Sequence, residues 1–278
     1  MTTGAGPRRV AYYALLWAMS LLFFSPVLWI ILSAFKSPAQ ILAKDPVVIF
    51  EPTLANLADA FGRTEFVSTL INSIVLSSVA VVIAVVVSFL AAYSFSRFKP
   101  PGTDFLMFLL LSVRMVPAAA TIIPIYLMFV ALGWKNTHLG LIAFYAMFSI
   151  PFSLWILRGF IDGISRRFDE TALVNGAGRL HVVFRVVLPQ VKPGLMAAFV
   201  FNFIFVWNDY LFNYTVGGAA TNNVPVTLAT GMYNVGGADW AFVSSVTTIY
   251  LLPIVVIVFF FQKYLLVGMT FGTVRGEV

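Results

Sequence analysis

The stretch DETALVNGAGRLHVVFRVVLPQVKPG, Asp169 to Gly194, breaks into an otherwise oily sequence. It carries Arg179, Arg185 and Lys192, glycines at 176 and 178, and the pair Leu188-Pro189. Long apolar runs flank it on both sides. The meaning of a short amphipathic segment between two such runs depends on which side of a membrane it faces.

Composition places the chain in a membrane. Of 278 residues, 60% are hydrophobic and 10% charged, whereas soluble domains carry about 25% charged residues. Most of the surface must therefore meet lipid. A net charge of +6 would point to nucleic acid in a soluble protein; here cytoplasmic loops account for it, and no nucleic-acid partner is expected. The absence of cysteine excludes a disulfide framework and a thiolate metal site. His138 and His181 lie too far apart in sequence to promise a metal cluster.

A membrane helix needs roughly 20 apolar residues. Six spans fit, at about 10–34, 70–95, 105–132, 137–157, 195–216 and 241–263. Arg8 and Arg9 precede the first, but its apolar run exceeds the roughly 7–15 residues of a cleaved signal core, so a retained span is expected. With residues 1–9 inside, the inner segments hold twelve Lys and Arg and the outer segments four, counting all but the intramembrane Arg114. This positive-inside bias puts both termini and the opening stretch in the cytoplasm.

Within that stretch the sequence predicts two short helices. Asp169 and Glu170 suit a first turn, where acidic side chains meet the positive end of the helix dipole. Ala172, Leu173, Gly176 and Ala177 form one small apolar face. Gly176 and Gly178 permit a sharp turn. A second helix, roughly 179–187, would place Val183, Phe184 and Val187 on its apolar side and stop at Leu188-Pro189, because proline cannot continue a helix interior. A small-residue face on a cytoplasmic elbow suits the groove of a partner; an amphipathic helix lying on lipid headgroups is the other reading.

The same residues resemble a known family. Glu170-Thr171-Ala172, Asn175-Gly176-Ala177 and Leu188-Pro189 are similar to the EAA loop of inner-membrane permeases of ABC importers, with Thr171 and Asn175 departing mildly from its pattern. SPVLWIILSAFKSP (25–38), LINSIVLS (70–77), AAYSFSRF (91–98), FIFVWNDYLF (203–212) and GMTFGTVRG (268–276) resemble the maltose-type carbohydrate branch. LSVRMVPAAATIIPIYL (111–127) looks closest to polyol and sugar permeases. The resemblance implies an all-α, type I importer permease fold, with a transmembrane domain over 10–267 and a coupling elbow over 166–192. Glu170, Ala172, Gly176, Ala177, Leu188 and Pro189 would contact an ATPase subunit. The tail 268–278, through Gly272 and Arg275, would enter the ATPase dimer. It further implies a second homologous permease, two ATPase subunits that hold the ATP and magnesium, an extracytoplasmic substrate-binding protein, and no cofactor on this chain. The solute would be a sugar or polyol, or alternatively glycerol or glycerol phosphate.

Two sets of intramembrane polar residues stand out. Arg114 lies inside a span, with Pro117 and Pro124 after it. An intramembrane cation is expensive and faces a cavity or a partner. Three readings stay open: contact with substrate oxygens or an anion, an ion pair with Asp209 or a sister subunit, and a snorkelling side chain. Asn202, Asp209 and Asn213 are spaced seven and four apart, which on a continuous helix shares one face near Phe205 and Asn208. Polar groups beside aromatic rings suit sugar hydroxyls and pyranose faces; interhelical hydrogen bonding is the structural alternative. Trp207 and Tyr210 fit interface anchors.

No Gly-x4-Gly-Lys-Ser/Thr pattern occurs, so this chain carries no P-loop for ATP hydrolysis. VNGAGRL (174–180) lacks the strand and full spacing of a dinucleotide loop. A secondary transporter would predict inverted repeats, which the sequence does not show, and an integral-membrane enzyme a titratable cluster.

Overall fold

The computed structural model describes residues 7–231 and 238–270, with side chains over 9–231 and 238–264. The described elements are helical throughout: α1 (Pro7–Ala34), α2 (Pro38–Ile41), α3 (Ala55–Gly62), α4 (Thr64–Arg97), α5 (Thr103–Arg114), α6 (Ala118–Ala131), α7 (His138–Asp162), α8 (Arg167–Val174), α9 (Arg179–His181), a π-helical segment (Val182–Val187), α10 (Leu188–Gln190), α11 (Lys192–Trp207), α12 (Leu211–Val216), α13 (Val224–Gly231) and α14 (Trp240–Thr270). Helices are what a bilayer demands, because each satisfies its own backbone hydrogen bonds where no water is present. Hydroxyls inside the spans follow the same rule. Ser20, Ser33, Ser112, Ser245 and Thr248 each donate to the carbonyl four residues back.

α1, α4, α7 and α14 are each long and apolar enough to cross a membrane. Two bent pairs complete the set: α5 with α6, at 95°, and the 179–190 segment with α11, at 73°. If each pair is one span, the total is six. The third expected span is therefore not one rod. It breaks at Met115–Pro117, where Pro117 leaves the helical region (φ −56°, ψ 130°) and offers no N–H.

The chain divides into two compact units. One contains Met1–Val67 and Leu228–Leu252. In it, the Asn56 amide donates to the carbonyls of Ala34 (3.2 Å) and Lys36 (2.6 Å), fixing α3 at the end of α1. The Lys36 ammonium lies 3.7 Å from the Trp29 ring centroid. Arg63 bridges Asp59 and Asp239 at 2.8 and 3.0 Å. None of the apolar window of α1 is buried within this chain, so its sides are left for lipid or another subunit.

The other unit contains Ser68–Thr227 and Pro253–Val278 and holds the main core. Three helices each bury a stripe with a four-residue repeat. On α4 it is Leu76, Ala80, Ala84, Ser88, Ala92 and Ser96; on α7, Leu141, Tyr145, Ser149, Ser153, Leu157 and Ile161. On α11 it is Gly194, Ala198, Asn202 and Val206. Lipid tails are as apolar as leucine, so burial alone does not drive such helices together; small residues that permit close contact do. Two contacts show that closeness. Ser88 donates to the Ile150 carbonyl at 3.1 Å, and a Cβ on Gly194 would sit 2.6 Å from Phe160 Cγ.

The fifth expected span is also interrupted. α11 stops at Trp207 and α12 starts at Leu211, with neither proline nor glycine between them. Asn208 and Asp209 compete with the helix through their side chains. Asn208 donates to the Ile204 carbonyl at 2.7 Å, and the Asp209 carboxylate accepts from the Asn213 amide at 3.1 Å. Beyond α12 the loop is tied down by amides. Asn72 donates to the carbonyls of Ala220 and Asn222 and pairs with His138. Asn136 accepts from Ala220 and Thr221.

Candidate functional site

The elbow is built on the C-terminal end of α4. α8 opens with Asp169 and Glu170 in its first turn, as expected, but the two side chains part there. Asp169 turns inward. Arg97 Nε donates to its Oδ2 at 2.7 Å, and the two side chains are only 10% and 7% exposed. Arg97 also donates to the Ile164 carbonyl at 3.1 Å, and Arg166 to the Ser96 carbonyl at 2.7 Å. Ser96 donates to Asp162 at 2.5 Å. The last turn of α4 thus grips the chain from Asp162 to Asp169. Nothing in local periodicity pairs Arg97 with a residue 72 positions later.

Gly176 closes α8. Its φ of +85° is left-handed, and the Gly176 and Ala177 amides donate to the carbonyls of Leu173 and Ala172, both at 3.0 Å. This double bond pattern is a Schellman cap, which glycine fits without strain. Gly178 is different. It caps α9 in an extended conformation open to other residues (φ −72°, ψ 159°), so the turn depends on one glycine and not two.

The second elbow helix departs from expectation. It runs past Pro189 to Gln190, and the chain breaks at Val191 instead. The π-helical turn over Val182–Val187 explains both changes. Its wider spiral relieves the clash between a proline ring and the carbonyl four residues back. It also shifts the apolar face: Val182, Val183 and Val187 are buried, while Phe184 is exposed. The result is an exposed apolar rim on the elbow, formed by Phe168, Leu173, Val174 (87% exposed), Leu180 (74%) and Phe184. Glu170 and Pro189 are exposed near it, and Ala172, Ala177 and Leu188 are partly buried. A cavity of ≈ 190 Å³ lies beneath, lined in part by Tyr93, Arg97, Asp169, Glu170 and Arg179.

Inside the membrane, the structure joins Arg114, Asn202 and Phe205 and separates the rest of the expected set. The Arg114 guanidinium carbon lies 4.7 Å from the ring centroids of Phe148 and Phe205 and 5.5 Å from that of Phe152. One nitrogen reaches Asn202 Oδ1 at 3.5 Å. Asn202 is fully buried, with its amide donating to Ser153 and to the Ala198 carbonyl. The break at 208–210 removes the common face expected for Asn202, Asp209 and Asn213. Asp209 accepts from the Tyr145 hydroxyl at 2.7 Å, and no ion pair between Asp209 and Arg114 is present among the described residues. Asn213 is buried in the loop network, bonded to Thr221 and Asn223. Asn208 is exposed. Trp207 is fully buried and stacked on Phe203, so it is no interface anchor. The aspartate four residues before the Asn213 amide is the signal that could have disclosed the break. Gly272 and Arg275 lie outside the described residues, and no group of three or more His, Cys, Asp or Glu able to hold a metal occurs among those described.

A family model described as the binding-protein-dependent transport system inner membrane component matches residues 84–270, a range that takes in both sites. The chain belongs to this family. It is 30% identical over 268 residues to a probable ABC transporter permease of Sinorhizobium fredii, covering 96% of each chain. It is 30% identical to the trehalose/maltose transport system permease MalG of Thermococcus litoralis, over 93% of this chain and 94% of that one. With the trehalose transport system permease SugB of Mycobacterium tuberculosis the identity is 31%, over 98% and 100%. A bacterial ABC transporter that imports the acidic polysaccharide alginate shares the fold, with a TM-score of 0.80 at 19% identity over 95% of this chain and 98% of that one. The chain is thus a membrane permease of the ABC importer class, with the all-helical fold that its elbow resembled.

Proposed function

We propose that this permease passes a sugar or polyol across the cytoplasmic membrane by alternating access, in a complex with a second permease, two ATPase subunits and an extracytoplasmic binding protein. ATP and its magnesium belong to the ATPase subunits. The observation that carries this reading is the elbow: an exposed apolar rim mounted rigidly on α4 through the buried Arg97–Asp169 pair. Exposed apolar patches of this kind mark partner surfaces. A headgroup-bound helix would not require a second, buried anchor.

The geometry supports a lever. When an ATPase dimer closes on the rim, the elbow moves with it. The displacement reaches α4 through Arg97 and Asp169, and α11 through the π-helical turn and the bend at Val191. Small residues on α4 and α11 let these helices pack closely, so they shift as bodies. The names of the trehalose and maltose relatives favour a carbohydrate solute. Both termini are cytoplasmic in this reading.

Purification of the assembled complex tests it. The permease is expected to co-purify with an ATPase subunit and to support ATP-dependent uptake of a sugar or polyol into proteoliposomes. The double substitution Glu170→Lys, Gly176→Leu places a reversed charge on the rim and a side chain at φ +85°, where non-glycine residues lose roughly 1–2 kcal/mol. Uptake or assembly should fail. Normal transport by the double variant would remove the elbow from the coupling path.

A further inference from the structure

The sequence left the partner of Arg114 open, and the structure narrows it. Arg114 ends α5, eleven residues beyond Thr103. At 1.5 Å per residue that is about 16 Å along the helix, half of a hydrocarbon core of about 30 Å. Asn202 and Phe148 confirm the depth, each ten residues inside its own helix. Headgroup phosphates lie some 15 Å away by the same arithmetic, beyond a snorkelling arginine.

At that depth the cation has little compensation. Three phenyl faces lie against the guanidinium, and its one hydrogen-bond contact among the described residues is long, at 3.5 Å. No Asp or Glu pairs with it among the described residues, and the Asp209 carboxylate is engaged by Tyr145 and the Asn213 amide. Ring quadrupoles attract a cation but do not neutralise it. A guanidinium has five donors in a fixed fork that matches a carboxylate with two parallel bonds. Phe148 and Phe205 stack beside it, 5.2 Å apart and 16° from parallel, and Phe205 is exposed. Such rings suit the apolar face of a pyranose. The prolyl break at Pro117 puts this group where the helix is discontinuous, as at the solute sites of other transporters.

Resting on the carbohydrate reading above, we infer that Arg114, Phe148 and Phe205 form a subsite for a carboxylate-bearing sugar, a uronate. The carboxylate binds the guanidinium fork, and the pyranose face lies on the exposed phenyl ring.

The test uses the assembled permease–ATPase complex in lipid nanodiscs, with glucuronate and glucose as probes in equilibrium dialysis. Glucuronate should bind about ten- to a hundredfold more tightly than glucose, the range of charge-assisted hydrogen bonds. Arg114→Gln should abolish that preference. Arg114→Lys keeps the charge and loses the fork, so it should retain part of the preference even if the glutamine variant fails to assemble. Equal binding of the two sugars overturns the inference. So does a glucuronate preference that survives in either variant at full strength, or failure of glucuronate to bind. ATP-dependent uptake of a neutral sugar alongside any of those results leaves the importer reading standing while the carboxylate subsite falls. Absence of ATP-dependent uptake of any sugar or polyol removes both.

Discussion

Replacing Asp169 by Asn should unseat the elbow. The structure gives the size of the effect. Arg97 and Asp169 are 7% and 10% exposed, so solvent screens little of their interaction. The substitution removes the compensating charge and leaves a buried guanidinium with neutral acceptors only, the Ile164 carbonyl at 3.1 Å among them. Breaking a buried pair from one side costs about 3–5 kcal/mol. Local units open independently of the rest of a structure, so α8 should detach from α4 while the membrane helices stay folded. Two measurements read this in the reconstituted complex. Hydrogen exchange at the α8 amides should accelerate by roughly two orders of magnitude or more, the factor matching about 3 kcal/mol. The number of solutes imported per ATP should fall, because hydrolysis continues without a rigid lever. Arg97→Asp with Asp169→Arg should restore part of both. Unchanged exchange in α8 together with unchanged coupling would refute the anchoring argument.

Gly194→Ala should loosen the α7–α11 contact. Its Cβ meets three atoms of Phe160 at 2.6–3.1 Å, an overpacking worth about 1–3 kcal/mol. The thermal midpoint of the complex should drop, and Phe160→Leu in the same chain should recover most of it. A Gly194→Ala protein as stable as the parent would show that the two helices can separate freely there. Deleting Gly272–Val278 is expected to lower ATP turnover with membrane abundance unchanged, measured by immunoblot and phosphate release; full turnover would make the tail a passive end.

Several features were legible because they are written locally. The apolar runs have the length a bilayer needs. The sharp turn at Gly176 was legible from glycine's conformational freedom, and its φ of +85° bears this out, although the helix stops at Val174 and leaves Gly176 and Ala177 off the expected face. Pro117 stood in plain view in the third span, which the apolar run nevertheless reads as continuous; the structure bends it by 95° there.

Other features were not local. The split at Asn208–Tyr210 arises from short polar side chains winning backbone bonds inside an apolar run, where hydropathy sees only continuity. The π-helical turn moved Phe184 outward and carried the chain past Pro189, since a shift from a four- to a five-residue hydrogen-bond interval leaves no compositional trace.

By itself the sequence determined that this is a polytopic membrane protein with a glycine-hinged elbow of a recognisable pattern. Span length, charge bias and cap chemistry depend on neighbours within a few turns, and a linear reading captures them. Only the tertiary structure decided what the charges do. Arg97 meets Asp169 across 72 positions of chain, and Arg114 meets three phenyl rings from two other helices while Asp209 turns to Tyr145. In a low-dielectric interior each polar group must find its partner wherever the packing of small-residue stripes brings one, and that packing is settled in three dimensions.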